Sequence, residues 1–318
     1  MTLKCSNPRC FAHDGESCDE GNTNHLECAS WGAKVSEDKS TEASINNSSR
    51  VPWSGSALGL VDLTNLVPRG RSILVGVLGA QNSGKTTLLT ANYLQLLKGR
   101  KISDADFSGS RTLGAWESLA AHIRFEDSAR TPSFPPHTPR GTSRVPGLLH
   151  LAMRNQNEEF RDILLADAPG EWFTRWSVKE DAPEAEGARW VVKHADAFIV
   201  MADCDRLSSP ERGATRGETR ELIERLGNHV GTRPVVFVWA KYDKKPPEKI
   251  EGAIRRALIN SIPHAIEHQT TTNDPDTLLA TLAQTVDLAW LPPSAKAVTA
   301  PVLSKQPFYS FRGHHGYS

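Results

Sequence analysis

The chain has 318 residues, enough for one large domain or two, and its 38% hydrophobic content supports a sizeable core. Basic and acidic side chains balance at 37 each, so no global charge argues for nucleic acid or a membrane surface as partner. No apolar run approaches the roughly 18 residues of a membrane span, and the opening MTLKCSNPRC lacks the apolar stretch of a signal peptide; a soluble cytoplasmic protein is expected.

Four of the five cysteines, Cys5, Cys10, Cys18 and Cys28, crowd the start. In a reducing compartment thiols so clustered are better metal ligands than disulfide partners, and Zn²⁺ takes four soft ligands tetrahedrally. The spacing C-x4-C-x7-C-x9-C is looser than two C-x-x-C knuckles, so a redox pair or ordinary thiols stay open, with His13 and His25 as further ligands. Residues 1–32 are thus expected to form a structural zinc module. The serine-rich stretch after Trp31 cannot bury enough apolar surface to fold alone, so 33–66 reads as linker and lead-in to a domain over 67–292, with 293–318 as a tail.

The most informative stretch is ILVGVLGAQNSGKTT, residues 73–87. An apolar strand runs into a glycine-rich loop that opens a helix, and Gly79 to Thr86 fits G-x-x-x-x-G-K-[ST]. In such a loop the backbone N–H groups cradle phosphates at a helix N-terminus, the lysine reaches the outer phosphates and the hydroxyl ligates Mg²⁺. Candidate nucleotide-binding residues are therefore Gly79, Asn82, Ser83, Gly84, Lys85, Thr86 and Thr87, with Thr86 on the metal.

Leu113–Phe125 has helical spacing, and a proline-rich loop follows over 128–147. Thr142, six residues before the strand Leu148–Met153, is the candidate second Mg²⁺ ligand, with Thr138 the alternative and a plain connector the competing account. Leu148–Arg154 and Arg161–Asp167 read as an antiparallel hairpin at a sheet edge. The second ends in Asp167-Ala168-Pro169-Gly170, where a carboxylate at a strand end suits Mg²⁺ and a glycine offers its N–H to a γ-phosphate. Glu171 then stands where a side chain can orient the attacking water, or simply occupies a helix's first turn; Trp172, Phe173 and Trp176 are core, or a partner surface.

A helix over Pro183–His194, the strand Ala197–Ala202 with an inert Cys204 after it, and a helix framed by Ser209-Pro210 and Gly227 alternate as in a mainly parallel sheet. The strand Pro234–Trp239 ends in Ala240-Lys241-Tyr242-Asp243. A carboxylate at Asp243 accepts both donors of a guanine edge, which adenine lacks, and Lys241 would lie along the base and tie back to the phosphate loop. Ala240 stands where GTPases carry Asn or Thr. Pro263–His268 and Pro275–Leu288 are the last strand and helix, and Thr270–Thr272 falls where a base-closing motif would be sought. In the tail, His314 and His315 are possible ligands, though packing through Phe308, Tyr309 and Phe311 is the preferred reading.

With these motifs in order, the chain resembles the translation-factor-like and Ras-like GTPases of the TRAFAC class over about residues 70–290. On its cysteine-bearing start, GAQNSGKTT, TLGAWE, HTPRGT, DAPGEWF and FRGHH it resembles the bacterial double-GTPase families of predicted conflict systems. The resemblance implies an α/β three-layer P-loop fold, GTP hydrolysis to GDP, a partner GTPase or GAP-like protein, and a defence or signalling role. Asn82 matches the Asn of Era- and TrmE-like GTPases, where it helps hold K⁺ against the phosphates; Arg140 is the competing source of transition-state charge. A nucleotide-bound scaffold with little turnover and an ATPase are the alternative functions.

Overall fold

In the computed structural model, the residues described are 31, 57–63, 72–124 and 146–290. The chain divides into two units, Met1–Arg50 and Val51–Ser318. Cys5, Cys10, Cys18, Cys28, His13 and His25 of the first, and Thr138, Arg140, Thr142 and the whole tail of the second, lie outside the described residues. Among the described residues no group of three or more His, Cys, Asp or Glu side chains gathers as a metal site, and no helix is long and apolar enough to cross a membrane.

The second unit is built on β1 (Ser72–Gly79), whose unbroken apolar run suits a strand covered on both faces. Ile73, Val75 and Val77 point into one core, Leu74 and Leu78 into the other. Around it lie β2 (Ala105–Gly109), β3 (Gly147–Asn155), β4 (Phe160–Asp167), β5 (Ala197–Asp203), β6 (Val235–Ala240) and β7 (Ile266–Thr270), in the order β2-β3-β4-β1-β5-β6-β7. The pairs from β4 through β7 are parallel, and β2-β3 and β3-β4 are antiparallel.

One face is covered by α2 (Lys85–Leu97), α3 (Leu113–Ile123) and α9 (Pro275–Trp290) through Leu88, Tyr93, Trp116, Leu278 and Leu282. The other carries α4 (Gly170–Val178), α5 (Glu186–His194), α7 (Arg212–Val230) and α8 (Glu248–Ser261) through Trp176, Val191, Ile223 and Ile254. Among the described residues there are also two short helices, α1 (Leu60–Leu63) in the lead-in and α6 (Cys204–Ser208) after β5. Leu58 of the lead-in exchanges two 2.9 Å backbone hydrogen bonds with Leu148 and is buried in the core.

Several elements depart from the sequence reading. The β3-β4 hairpin is not an edge, because β2 pairs with β3 outside it; β2 has only five residues and alternates weakly, so its apolar signal is slight. Helix α8 has no counterpart among the expected elements, since Gly252 and the preceding lysines and prolines interrupt its pattern. Gly227 does not end α7 but lies inside it, where a Cβ would stand 2.7 Å from the Ser261 carbonyl oxygen at the end of α8; the helix ends at Gly231, φ +58°. Nor does Pro210 open it, because Ser209 and Arg212 form a turn between α6 and α7. A 3₁₀ turn, Pro183–Ala185, precedes α5. Strand β7 starts later than Pro263, which lies in the turn after α8, and so delivers Thr270–Thr272 to the end of β6.

Candidate nucleotide-binding site

The C-terminal ends of β1, β4, β5, β6 and β7 open onto one cavity of about 520 Å³, within the range of small-molecule sites. Its walls include Gln81 to Leu88, Ala168 to Glu171, Lys241, Asp243 and Thr270 to Thr272. Four chain segments far apart in sequence thus meet across a single space.

The loop between β1 and α2 turns through Asn82 at φ +65° and Gly84 at φ +93°, and Gly84 caps the helix without a side chain. Both values lie in the left-handed region that favours glycine, and asparagine tolerates it better than most other residues. Lys85, first residue of α2, folds back so that its Nζ donates to the carbonyls of Gly79 (3.0 Å) and Ala80 (2.9 Å). Burial lowers its pKa to about 8, against the pull of Asp167 and Glu171, whose charges favour the ammonium. The Ser83 hydroxyl is buried with no hydrogen-bond partner among the described residues.

Thr86 donates its hydroxyl to the Asp167 carboxylate, 3.1 and 3.3 Å from its two oxygens. Asp167 ends β4, buried behind the cavity wall. Two hard oxygen donors so placed fit Mg²⁺, which binds through one or two protein oxygens with phosphates and water completing the shell. Gly170 lies against the phosphate loop: a Cβ there would collide with the Gln81 nitrogen and sit 2.7 Å from the Ala80 oxygen. The glycine is required here by close approach. Glu171 follows in the first turn of α4, facing the cavity within electrostatic reach of Lys85. Phe173 and Trp176 are buried and the partly buried Trp172 packs against the same core, so the aromatic segment anchors α4 there.

On the opposite wall, Lys241 has φ +57° and its Nζ donates to the Asn82 carbonyl at 2.9 Å and to Asp203 Oδ2 at 2.8 Å. Asp243 accepts from the Thr271 hydroxyl at 3.0 Å, and the Tyr242 N–H donates to the Thr270 carbonyl at 3.0 Å. Ala240 lines the cavity and brings no polar side chain. Asp203 was not identified as a functional candidate from sequence, and Thr271 only as part of the stretch Thr270–Thr272 where a base-closing motif would be sought. A carboxylate closing a parallel strand was the available signal for Asp203, but the contact to Lys241 joins positions 38 apart in the chain. Cys204 is buried, and burial foremost pushes its thiol up to about 12, so it is no nucleophile at neutral pH.

Sheet order, phosphate loop and cavity define a three-layer α/β P-loop protein of the GTPase kind. The chain belongs to the Double-GTPase 2 family, whose model matches residues 73–291. Among solved structures, that of Era in complex with MgGDPNP and nucleotides 1506–1542 of 16S ribosomal RNA is similar at 19% identity, with a TM-score of 0.35. The alignment covers 75% of this chain and 63% of that one, so this chain spans less than two thirds of Era's length. No curated protein matches.

Proposed function

We propose that the protein is a GTP-dependent switch that hydrolyses GTP to GDP and phosphate with Mg²⁺, acting with a partner GTPase or GAP-like protein in bacterial defence or signalling. The observation that carries the reading is the meeting around one cavity of the Lys85 loop, Thr86 with Asp167 bonded behind it, Gly170 and the Lys241–Asp243 segment.

Lys85 would exchange its two carbonyl acceptors for phosphate oxygens, regaining in charge-assisted bonds what burial costs its ammonium. Thr86 and Asp167 would hold Mg²⁺, with Thr142 as a further ligand. When bound, the ion would supply positive charge to offset that of the phosphates. Gly170 would donate its N–H to the γ-phosphate. Glu171 would orient a water in line with the γ-phosphorus; the water oxygen forms the new bond as the bridging oxygen leaves with GDP, and the protons pass to phosphate. Asp243, held by Thr271, would accept from the guanine edge while Lys241 flanks the ring. Added positive charge at the bridging oxygen would come from K⁺ near Asn82 or from Arg140. The four N-terminal cysteines would hold a structural Zn²⁺.

The test is phosphate release from GTP and from ATP, each in K⁺ and in Na⁺, with Lys85→Ala as blank. GTP-selective, Lys85-dependent turnover supports the reading. GTP binding without turnover, even with candidate partners added, favours the scaffold; turnover of ATP alone favours an ATPase and overturns the guanine assignment.

A further inference from the structure

Position 240 is an alanine, so the end of β6 has no polar side chain to hold the segment that carries Lys241 and Asp243. The lysine would then be a long flexible chain, 38% exposed and with its backbone in the left-handed region, free to leave the cavity wall. It is held instead from the neighbouring strand. In the β5-β6 register Asp203 lies directly beside Ala240. Its side chain is only 1% exposed and divides its two oxygens between two tasks. Oδ2 accepts from Lys241 Nζ at 2.8 Å, while Oδ1 accepts the backbone N–H groups of Asp205 (3.1 Å) and Arg206 (3.3 Å) at the start of α6. The same ammonium reaches the Asn82 carbonyl at 2.9 Å, so one lysine bridges the end of β5 to the phosphate loop.

We infer that Asp203 is a positioning residue for guanine-nucleotide binding: its carboxylate fixes Lys241 across the base site from β5, where residue 240 has no polar atom to help. This rests on the proposed placement of the base beside Lys241 and Asp243. Its physical basis is that a buried carboxylate with two N–H groups on one oxygen is locked in direction. A charge-assisted bond from a locked acceptor holds the lysine stem in one rotamer before the nucleotide arrives.

The experiment is GDP binding by calorimetry in the presence of Mg²⁺, with wild type, Asp203→Asn, Lys241→Ala and the double variant. Asparagine has one acceptor oxygen and cannot serve both cap and ammonium. Asp203→Ser, which keeps an oxygen for the cap but cannot reach the ammonium, repeats the cycle should the asparagine variant fold poorly. The expected result is about a tenfold loss of affinity for Asp203→Asn alone and less than about a twofold further loss in the Lys241→Ala background. An equal loss in both backgrounds would mean that Asp203 acts through the α6 cap alone, and overturns the inference while leaving the base site standing. No loss in Asp203→Asn overturns it as well. Unchanged affinity in Lys241→Ala removes both the inference and the base placement. Asp243→Asn, expected to favour xanthine over guanine nucleotides, tests that placement separately.

Discussion

Lys85 carries the clearest pH signature. Its folded pKa, about 8, lies below the ordinary value of 10.5, so between these the folded chain holds fewer protons than the unfolded one. Stability from this group therefore rises as pH climbs from about 8 to 10.5, and the cost of burying the ammonium is fully present below 8. Phosphates favour the charged form, so GDP binding at pH 8.5 should take up a fraction of a proton, and affinity should fall as pH rises further. Calorimetry at pH 8.5 in two buffers of different ionisation enthalpy reads that uptake; identical heats would contradict it. At Gly170 the expectation is steric. Gly170→Ala would push α4 off the phosphate loop, so GTP turnover should drop more than about tenfold while GDP affinity changes little. Loss of both together would instead indicate a damaged loop. If Glu171 positions the water, Glu171→Gln should lower turnover by about 10² without weakening GTP binding.

At the scale of elements, the two helical layers are held to the sheet by contacts with different sensitivities. Helix α7 approaches α8 closely because residue 227 is glycine; Gly227→Ala should cost about 1–3 kcal/mol, read as a lower denaturant midpoint with unchanged slope. Helix α3 is joined to β3 by the fully buried Trp116, whose indole N–H donates to the His150 carbonyl at 2.9 Å and whose ring stacks on Tyr93 of α2. Trp116→Ala should cost about 3–5 kcal/mol, the range for a large core truncation. Next to it Glu117 accepts from the Tyr93 hydroxyl and from Arg124, fastening α3 to the phosphate-loop helix. Strong periodicity made α3 and α9 readable. α8 was not, although its buried Glu251, Ile254, Ala257 and Leu258 fall on one helical face, because that face opens on a charged residue with Gly252 beside it and carries only two large apolar side chains.

Across the whole molecule, a nucleotide bound in the cavity would be linked to folding, since its walls are drawn from residues as far apart in the second unit as Gln81 and Leu278. GDP at about a hundred times its dissociation constant should add about 2.7 kcal/mol of stability, seen as a rise in melting temperature that Lys85→Ala abolishes. If Asn82 holds a monovalent cation, GTP turnover should be faster in K⁺ than in Na⁺; equal rates would leave Arg140 as the source of the added charge.

The nucleotide class was legible from short local strings, because a phosphate loop is built by consecutive backbone amides and its chemistry is written in adjacent residues, Gly79 to Thr86. The mainly parallel sheet was legible for the same reason: continuous apolar runs at β1, β5 and β6 mark strands covered on both faces. Sequence could not show that β2 closes the hairpin's outer side, that Gly227 serves helix packing, or that Asp203 and Thr271 orient Lys241 and Asp243. Each of these depends on a partner from a distant part of the chain. The tertiary fold decided them, since hydrogen bonds and van der Waals contacts act over a few ångströms of space whatever the separation in sequence.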